Sequence, residues 1–227
     1  MKILITGDFH GRLAAYDWLQ SEESRFDAIL LTGDLLDPFG QDLSIQMQFW
    51  KLLDQKIRQR GGLLATCQGE HDAWFPDWEW MKRKIGTVHY KSLCVTSTSW
   101  RVEDRGPIQK PTTTTASTWI VLNHEPPPGL KVSVSTTSDL IRPVQFTEHQ
   151  PDYLICGHLH DAPFLPGGSW WDHFGHTIVF NPGQNSLHPP PTHIILDLDA
   201  HSATWMPSHS IPPVVISLPE SSAPQKG

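Results

Sequence analysis

Five short apolar runs, each opening onto a carboxylate or an imidazole, constrain this chain more than any other feature. The first runs from Lys2 to Thr6, rich in β-branched residues and of a length that suits a buried strand. Gly7 closes it and delivers Asp8 and His10 into a turn. Gly11 then lets the backbone bend into a helix carrying Leu13, Tyr16 and Leu19 on one face. Asp-x-His by itself is an ordinary polar turn. The pattern recurs, however: Ala28–Thr32 ends on Gly33-Asp34, and Leu63–Cys67 ends on Gln68-Gly69-Glu70-His71-Asp72. Trp119–Leu122 ends on Asn123-His124-Glu125-Pro126, and Tyr153–Cys156 ends on Gly157-His158-Leu159-His160. With 24 Asp and Glu and 13 His among 227 residues, one such ending means little. Five describe one polar floor made of strand ends, the place where open α/β sheets bind ligands. Its donor atoms are oxygens and imidazole nitrogens, with no thiolate.

The order strand, helix, strand, helix, strand over residues 2–67 predicts parallel strands with right-handed crossovers. The second helix is expected from about Leu43 to Arg60, with Ile45, Phe49, Leu53 and Ile57 toward the core, and Gly61-Gly62 ends it. Ser92–Glu103 and Thr118–Leu122 read as strands of a second, more antiparallel sheet. His176–Phe180, Ile194–Leu198 and Ala203–Met206 are further strands, and Phe164–Trp171 with Pro166-Gly167-Gly168 reads as a turn into a hairpin. Pro143 interrupts a helical pattern that begins near Ser138. Residues 104–117 read as a long exposed loop whose relation to the floor the sequence leaves open. One domain is expected over 1–210, followed by a Pro/Ser-rich tail over 211–227 that is poorly ordered at its end. Trp74, Phe75, Trp78 and Trp80, directly after His71, read as packing a loop and short helix onto the sheet rather than as a stacking wall. Among the histidines, His149, His173, His176 and His188 lack a strand-end setting and read as surface or packing residues.

The five motifs, in this order over residues 7–160, resemble those of the calcineurin-like metallophosphoesterases, with a sixth echo at Asn181-Pro182-Gly183. The resemblance implies an α/β fold in which two β-sheets form a sandwich flanked by helices on both sides, in α-β-β-α layers. It implies a two-metal centre in which Asp8, His10 and His160 hold one ion, His124 and His158 the other, and Asp34 bridges both. His71 then corresponds to the proton donor to the leaving group, with Asp72 beside it to orient it. The chain departs at Glu70, a second-metal position where the family usually has Asn. The implied reaction is hydrolysis of a phosphate ester by a hydroxide that bridges the ions and attacks phosphorus in line. The extra negative charge of Glu70, which penalises a dianionic monoester more, predicts a preference for phosphodiesters. Mixed carboxylate and imidazole ligands suit two divalent or mixed-valence transition metals, Mn, Fe or Zn. A non-catalytic metal-binding scaffold of the same fold and a metal-dependent nuclease are the alternatives.

Net charge weighs against the nuclease. At −7 the chain lacks the basic surplus that grips a long phosphate backbone, and the clusters Lys56–Arg60 and Lys82–Lys84 read as solvated helix faces. A small phosphorylated substrate, nucleotides included, is compatible, because bound metals make a site locally positive. No run is long enough to span a bilayer. The first strand leaves no room for a signal peptide ahead of it, so a cytoplasmic protein is expected. Cys67, Cys94 and Cys156 then read as reduced core residues.

Overall fold

The computed structural model describes residues 1–40, 42–101, 107–112, 116–136, 144–146, 149–184, 189–207 and 211–219. Three runs of the amino-terminal part become β1 (Lys2–Thr6), β2 (Ala28–Leu31) and β3 (Leu63–Thr66), all parallel, as the helical connections α1 (Leu13–Glu22) and α2 (Leu43–Gln59) require. The strands β10 (His193–Asp197), β11 (Ser202–Met206) and β12 (Val214–Ser217) join antiparallel, giving the order β12-β11-β10-β1-β2-β3. A second sheet holds β4 (Gly86–Tyr90), β5 (Leu93–Ser97), β6 (Thr118–Leu122), β7 (Tyr153–Ile155), β8 (Trp171–Phe174) and β9 (Thr177–Phe180), in the order β4-β5-β6-β7-β9-β8.

The central strands are apolar because both faces are covered, whereas the edge strands β4 and β12 are largely exposed. Ile3, Ile5, Leu30 and Ala65 point inward against Val95, Ile120, Leu122, Ile155 and Phe180 of the second sheet. The alternate residues Leu4, Ile29, Leu31 and Leu64 face out, onto Tyr16, Leu19, Trp50, Leu53 and Ile57 of the helices. Trp78 and Trp80 join that outer layer at the short helix α3 (Glu79–Lys82), so most of the aromatic stretch after His71 is packing; Trp74 is exposed. Cys67, Cys94 and Cys156 are buried free thiols.

Several expectations need correction. The second sheet is not mainly antiparallel: β5, β6, β7 and β9 run parallel, and only the edge strands β4 and β8 oppose their neighbours. The long connections after β5 and β6 return the chain to its starting end, and β8 does so between β7 and β9, which is what parallel pairing needs. The fifth strand stops at Ser97 rather than reaching Glu103. On α2 the buried stripe is Gln46, Trp50, Leu53, Asp54 and Ile57, whereas Ile45 is half exposed. Two polar residues take core positions because each is paired. Gln46 Oε1 accepts the Asp37 amide, and Asp54 accepts from Arg58, Lys84 and the Trp80 indole. Leu13 of α1 is likewise half exposed.

The described α-helices pack on the outer face of the first sheet. Among the described residues, the outer face of the second sheet is covered by the 3-10 turn Lys131–Ser133 and by Ile108, Leu130 and Phe146, not by an α-helix. The helical pattern near Ser138 falls outside the described residues, as do His188, parts of the 104–117 loop and residues 220–227. The segment expected as a tail from 211 supplies β12, so the first sheet continues past residue 210. No helix among the described residues is long and apolar enough to cross a membrane.

Candidate metal centre

The turns after β1, β2, β3, β6 and β7 meet at one end of the sandwich and are cross-linked through backbone groups. The Asp8 amide donates to Gly33 O at 2.9 Å and the His10 amide to Asp34 O at 3.0 Å. The His71 amide donates to Asp34 Oδ1 at 2.9 Å, and the His158 amide to Asp8 Oδ1 at 3.0 Å. Asp8, His10, Asp34 and His158 all sit in the left-handed region, with φ of 51°, 46°, 49° and 66°. Each such conformation costs about 1–2 kcal/mol for a residue with a Cβ, and such strain gathers at sites where function needs a side chain re-aimed. Two glycines let the carboxylates come close: a Cβ on Gly69 would overlap Asp34 Oδ1, and one on Gly157 would overlap Asp8 Oδ2.

Five of the expected ligands, together with His71, form three overlapping groups. Asp8 with His10 and His160, Asp8 with Asp34 and His124, and His10 with Asp34 and His71 each bring their donor atoms within 4.8 Å of one another. His160 Nε2 lies 3.3 Å from Asp8 Oδ1 and 3.1 Å from His10 Nε2. Asp34 Oδ2 lies 3.3 Å from His124 Nε2 and 3.9 Å from His10 Nε2. Glu70 and His158 belong to none of these groups. Glu70 is 42% exposed on the cavity wall, 3.8 Å from His71 Nε2, and the His158 ring packs on His124 at 5.2 Å between centroids.

The donor set fits a metal. His124 is fully buried, and its Nδ1 donates to Thr32 O at 2.6 Å, which leaves Nε2 facing Asp34 Oδ2 at 3.3 Å. That buried Nε2 has no hydrogen-bond partner. The Nε2 atoms of His10 and His160 face each other, a contact that a shared cation would satisfy better than a single proton. Charge points the same way. Burial drives His10 down to about 4, so it is neutral at pH 7 with a lone pair to give. Burial would raise Asp8, yet His160, His124 and His10 hold its carboxyl well below the usual range; Asp34 is lowered against burial chiefly by His124. Burial would lower His124, but Asp34 and Asp8 pull it up to about 10, so a metal there would displace a proton.

His71 lines an open cavity of ≈ 380 Å³ together with His10, Asp34, Glu70 and His160. Its Nδ1 is 3.3 Å from His10 Nδ1, which leaves Nε2 on the side of Glu70. Asp72 does not orient that ring directly. Its Oδ1 accepts the amides of Leu35 and Leu36 at 3.0 and 3.1 Å, and its Oδ2 the amide of Gly69 at 3.2 Å. It therefore ties the β2 turn to the β3 turn, and burial with the nearby Asp34 charge pushes it up to about 7. Asn181 Nδ2 donates to Leu159 O at 3.0 Å and to Val132 O at 3.1 Å, bracing the turn that carries His158 and His160.

Three contributors escaped the sequence reading. Thr32 Oγ1 donates to Asp8 Oδ2 at 2.9 Å. Arg12 donates to the carbonyls of Phe9 at 2.9 Å and Asp8 at 2.8 Å, pinning the strained turn. Trp100 forms part of the cavity wall. Thr32 and Arg12 stand within two residues of a motif and were open to notice; Trp100 carries no such signal.

The sequence profile of the calcineurin-like phosphoesterases matches residues 1–162. No curated protein matches the chain. Among solved structures, the phosphoesterase YfcE from E. coli is 16% identical with a TM-score of 0.51, over 96% of this chain and 100% of that one. A metallophosphoesterase from Sphaerobacter thermophilus is 13% identical with a TM-score of 0.45, over 90% of this chain and 87% of that one. The purple acid phosphatase PPD1 from yellow lupin seeds is 12% identical with a TM-score of 0.49, over 96% of this chain and 54% of that one. The likeness to YfcE shows the shared two-sheet fold. Because the matched stretch runs from the first strand past the last ligand-type histidine, this chain belongs to the calcineurin-like phosphoesterase family.

Proposed function

We propose that the chain hydrolyses small phosphodiesters, nucleotide esters among them, with two transition-metal ions held by Asp8, His10, Asp34, His124 and His160, and with His158 and Glu70 at the second position. The observation that carries this reading is the buried, unpartnered His124 Nε2 facing an Asp34 carboxylate that two donor groups share. Such ions supply Lewis-acid stabilisation of the phosphoryl oxygens and acidify water. The chain's own residues do the rest. Asp34 and Asp8 bring the negative charge that retains cations, and the turn hydrogen bonds keep them aimed before substrate arrives. His71, with Nε2 beside the Glu70 carboxylate, gives a proton to the leaving oxygen. Free buried thiols suit a reducing compartment, in keeping with action in the cytoplasm. The test is a screen of phosphate mono- and diesters with Mn²⁺, Fe²⁺ and Zn²⁺ in turn. Diester turnover is expected with at least one ion; a protein that binds metal yet turns over no ester would be a scaffold.

Glu70 bears on the choice of ester. It places a second carboxylate beside Asp34 at the cavity where the family usually has a neutral Asn. A monoester near neutral pH is close to a dianion and a diester is a monoanion, so the added charge disfavours the monoester more. Because Glu70 is half exposed, screening keeps the effect to about tenfold or less. Glu70→Asn should therefore lower the ratio of diester to monoester turnover by about three- to tenfold. A ratio that stays level or rises, with metal content unchanged, would overturn the charge argument.

A further inference from the structure

We propose that Trp100 is a specificity-determining residue of this site, where its indole stacks a planar aromatic group, aryl or nucleobase, attached to the substrate's phosphorus. The inference rests on the phosphoesterase reading of the cavity. Seven described residues line that cavity; six are His, Asp or Glu, and Trp100 alone brings a large apolar face. A phosphoryl group can be held by the charged residues, but the organic substituent it carries needs an apolar surface, and only the indole offers one.

The position of Trp100 is built rather than incidental. Its amide donates to Gln68 Oε1 at 3.2 Å, and the hydroxyl of Ser99 donates to the same oxygen at 2.8 Å. Gln68 is buried and opens the turn that carries Glu70 and His71, and its own amide donates to Thr98 O at 3.0 Å. Thr98 Oγ1 in turn donates to Asn123 Oδ1 at 2.9 Å, next to His124. The loop that follows β5 after Ser97 is thus braced to two of the turns that form the site. The indole stands 5.5 Å from the ring of His124 and 5.5 Å from that of His158, at 73° and 47°. Neither histidine lies flat on it. A flat substituent leaving the phosphorus would find the indole beside the metal-ligand histidines, and base–aromatic stacking of this kind is sensitive to alanine substitution.

The test uses three diesters with one leaving group: methyl, phenyl and thymidine-5′ p-nitrophenyl phosphate. They are assayed with metal-loaded wild type, Trp100→Ala, Trp100→Phe and Trp100→Leu, with metal content measured in each. In wild type kcat/KM should favour the phenyl or the thymidine ester over the methyl ester, and which of the two leads separates an aryl from a nucleobase site. Trp100→Ala should lower that preference by about tenfold, mainly through KM. Trp100→Phe should keep most of it, and Trp100→Leu, of similar bulk but without a ring, should not. Equal slowing on all three esters, or equal behaviour of the Phe and Leu variants, would make Trp100 a packing residue for His124 and His158. If the Ala variant does not fold, the Phe and Leu pair decides. If wild type turns over none of the esters, the hydrolytic reading has failed. Calorimetry with phenylphosphonate and methylphosphonate then tests Trp100 alone: loss of a phenyl preference in the Leu variant supports the stacking role, and an unchanged preference overturns it.

Discussion

Asp34→Asn should lose metal and lower ester turnover by about 10³-fold or more, the scale of several kcal/mol of charge stabilisation. Asp8 and Asp34 each belong to two donor groups, and Asp34 is the carboxylate proposed to bridge them. Its Oδ2 faces both His124 Nε2 and His10 Nε2, and it belongs to two of the three donor groups. Asn keeps the size, and its side-chain oxygen can still accept the His71 amide, so the turns should hold and thermal unfolding should move little. What disappears is a buried negative charge in a site that needs one. Metal analysis beside kcat/KM reads the effect, and a chelated wild type run in parallel should lose activity and recover it when metal is restored. A variant that keeps its metal and its turnover would remove Asp34 from the bridging role.

Replacing His71 by Ala should slow turnover by about 10²- to 10⁴-fold while metal content stays close to wild type. The structure makes this a discriminating experiment, because His71 also falls in a donor group with His10 and Asp34. If the imidazole protonates the leaving oxygen, the loss should shrink for esters of p-nitrophenol, which leave without a proton, and grow for alkyl or nucleoside leaving groups. A ligand would behave otherwise. Metal would fall, and the loss would be equal for good and poor leaving groups. Asp72→Asn should not imitate His71→Ala, since Asp72 acts on the turn backbone rather than on the ring.

Much of the fold was legible in short stretches. The runs Lys2–Thr6, Ala28–Thr32 and Leu63–Cys67 with helices between them predict β1, β2 and β3 as parallel neighbours, and so they are. The inward and outward faces of those strands follow from strict alternation. The core face of α2 did not follow from its apolar residues, because Gln46 and Asp54 are buried with partners that include groups 9, 26 and 30 residues away. Pairing direction in the second sheet was also out of reach, since it depends on how the chain crosses the sandwich in connections that have no repeating pattern.

The sequence by itself determined which residue types stand at the strand ends, and thus that the site offers oxygen and nitrogen donors and no thiolate. Strand, tight turn and charged residue are local features, set within a few residues by steric preference and hydrophobic alternation. Only the tertiary structure decided which of those donors share a point in space. His10 and His160 are 150 residues apart yet 3.1 Å from Nε2 to Nε2, while Glu70, adjacent to His71, stands out on the wall. The same packing carried Trp100 into the cavity and turned Asp72 away from His71. Coordination and stacking depend on positions held to fractions of an ångström, and the close packing of two sheets, through turns braced by buried hydrogen bonds, sets those positions.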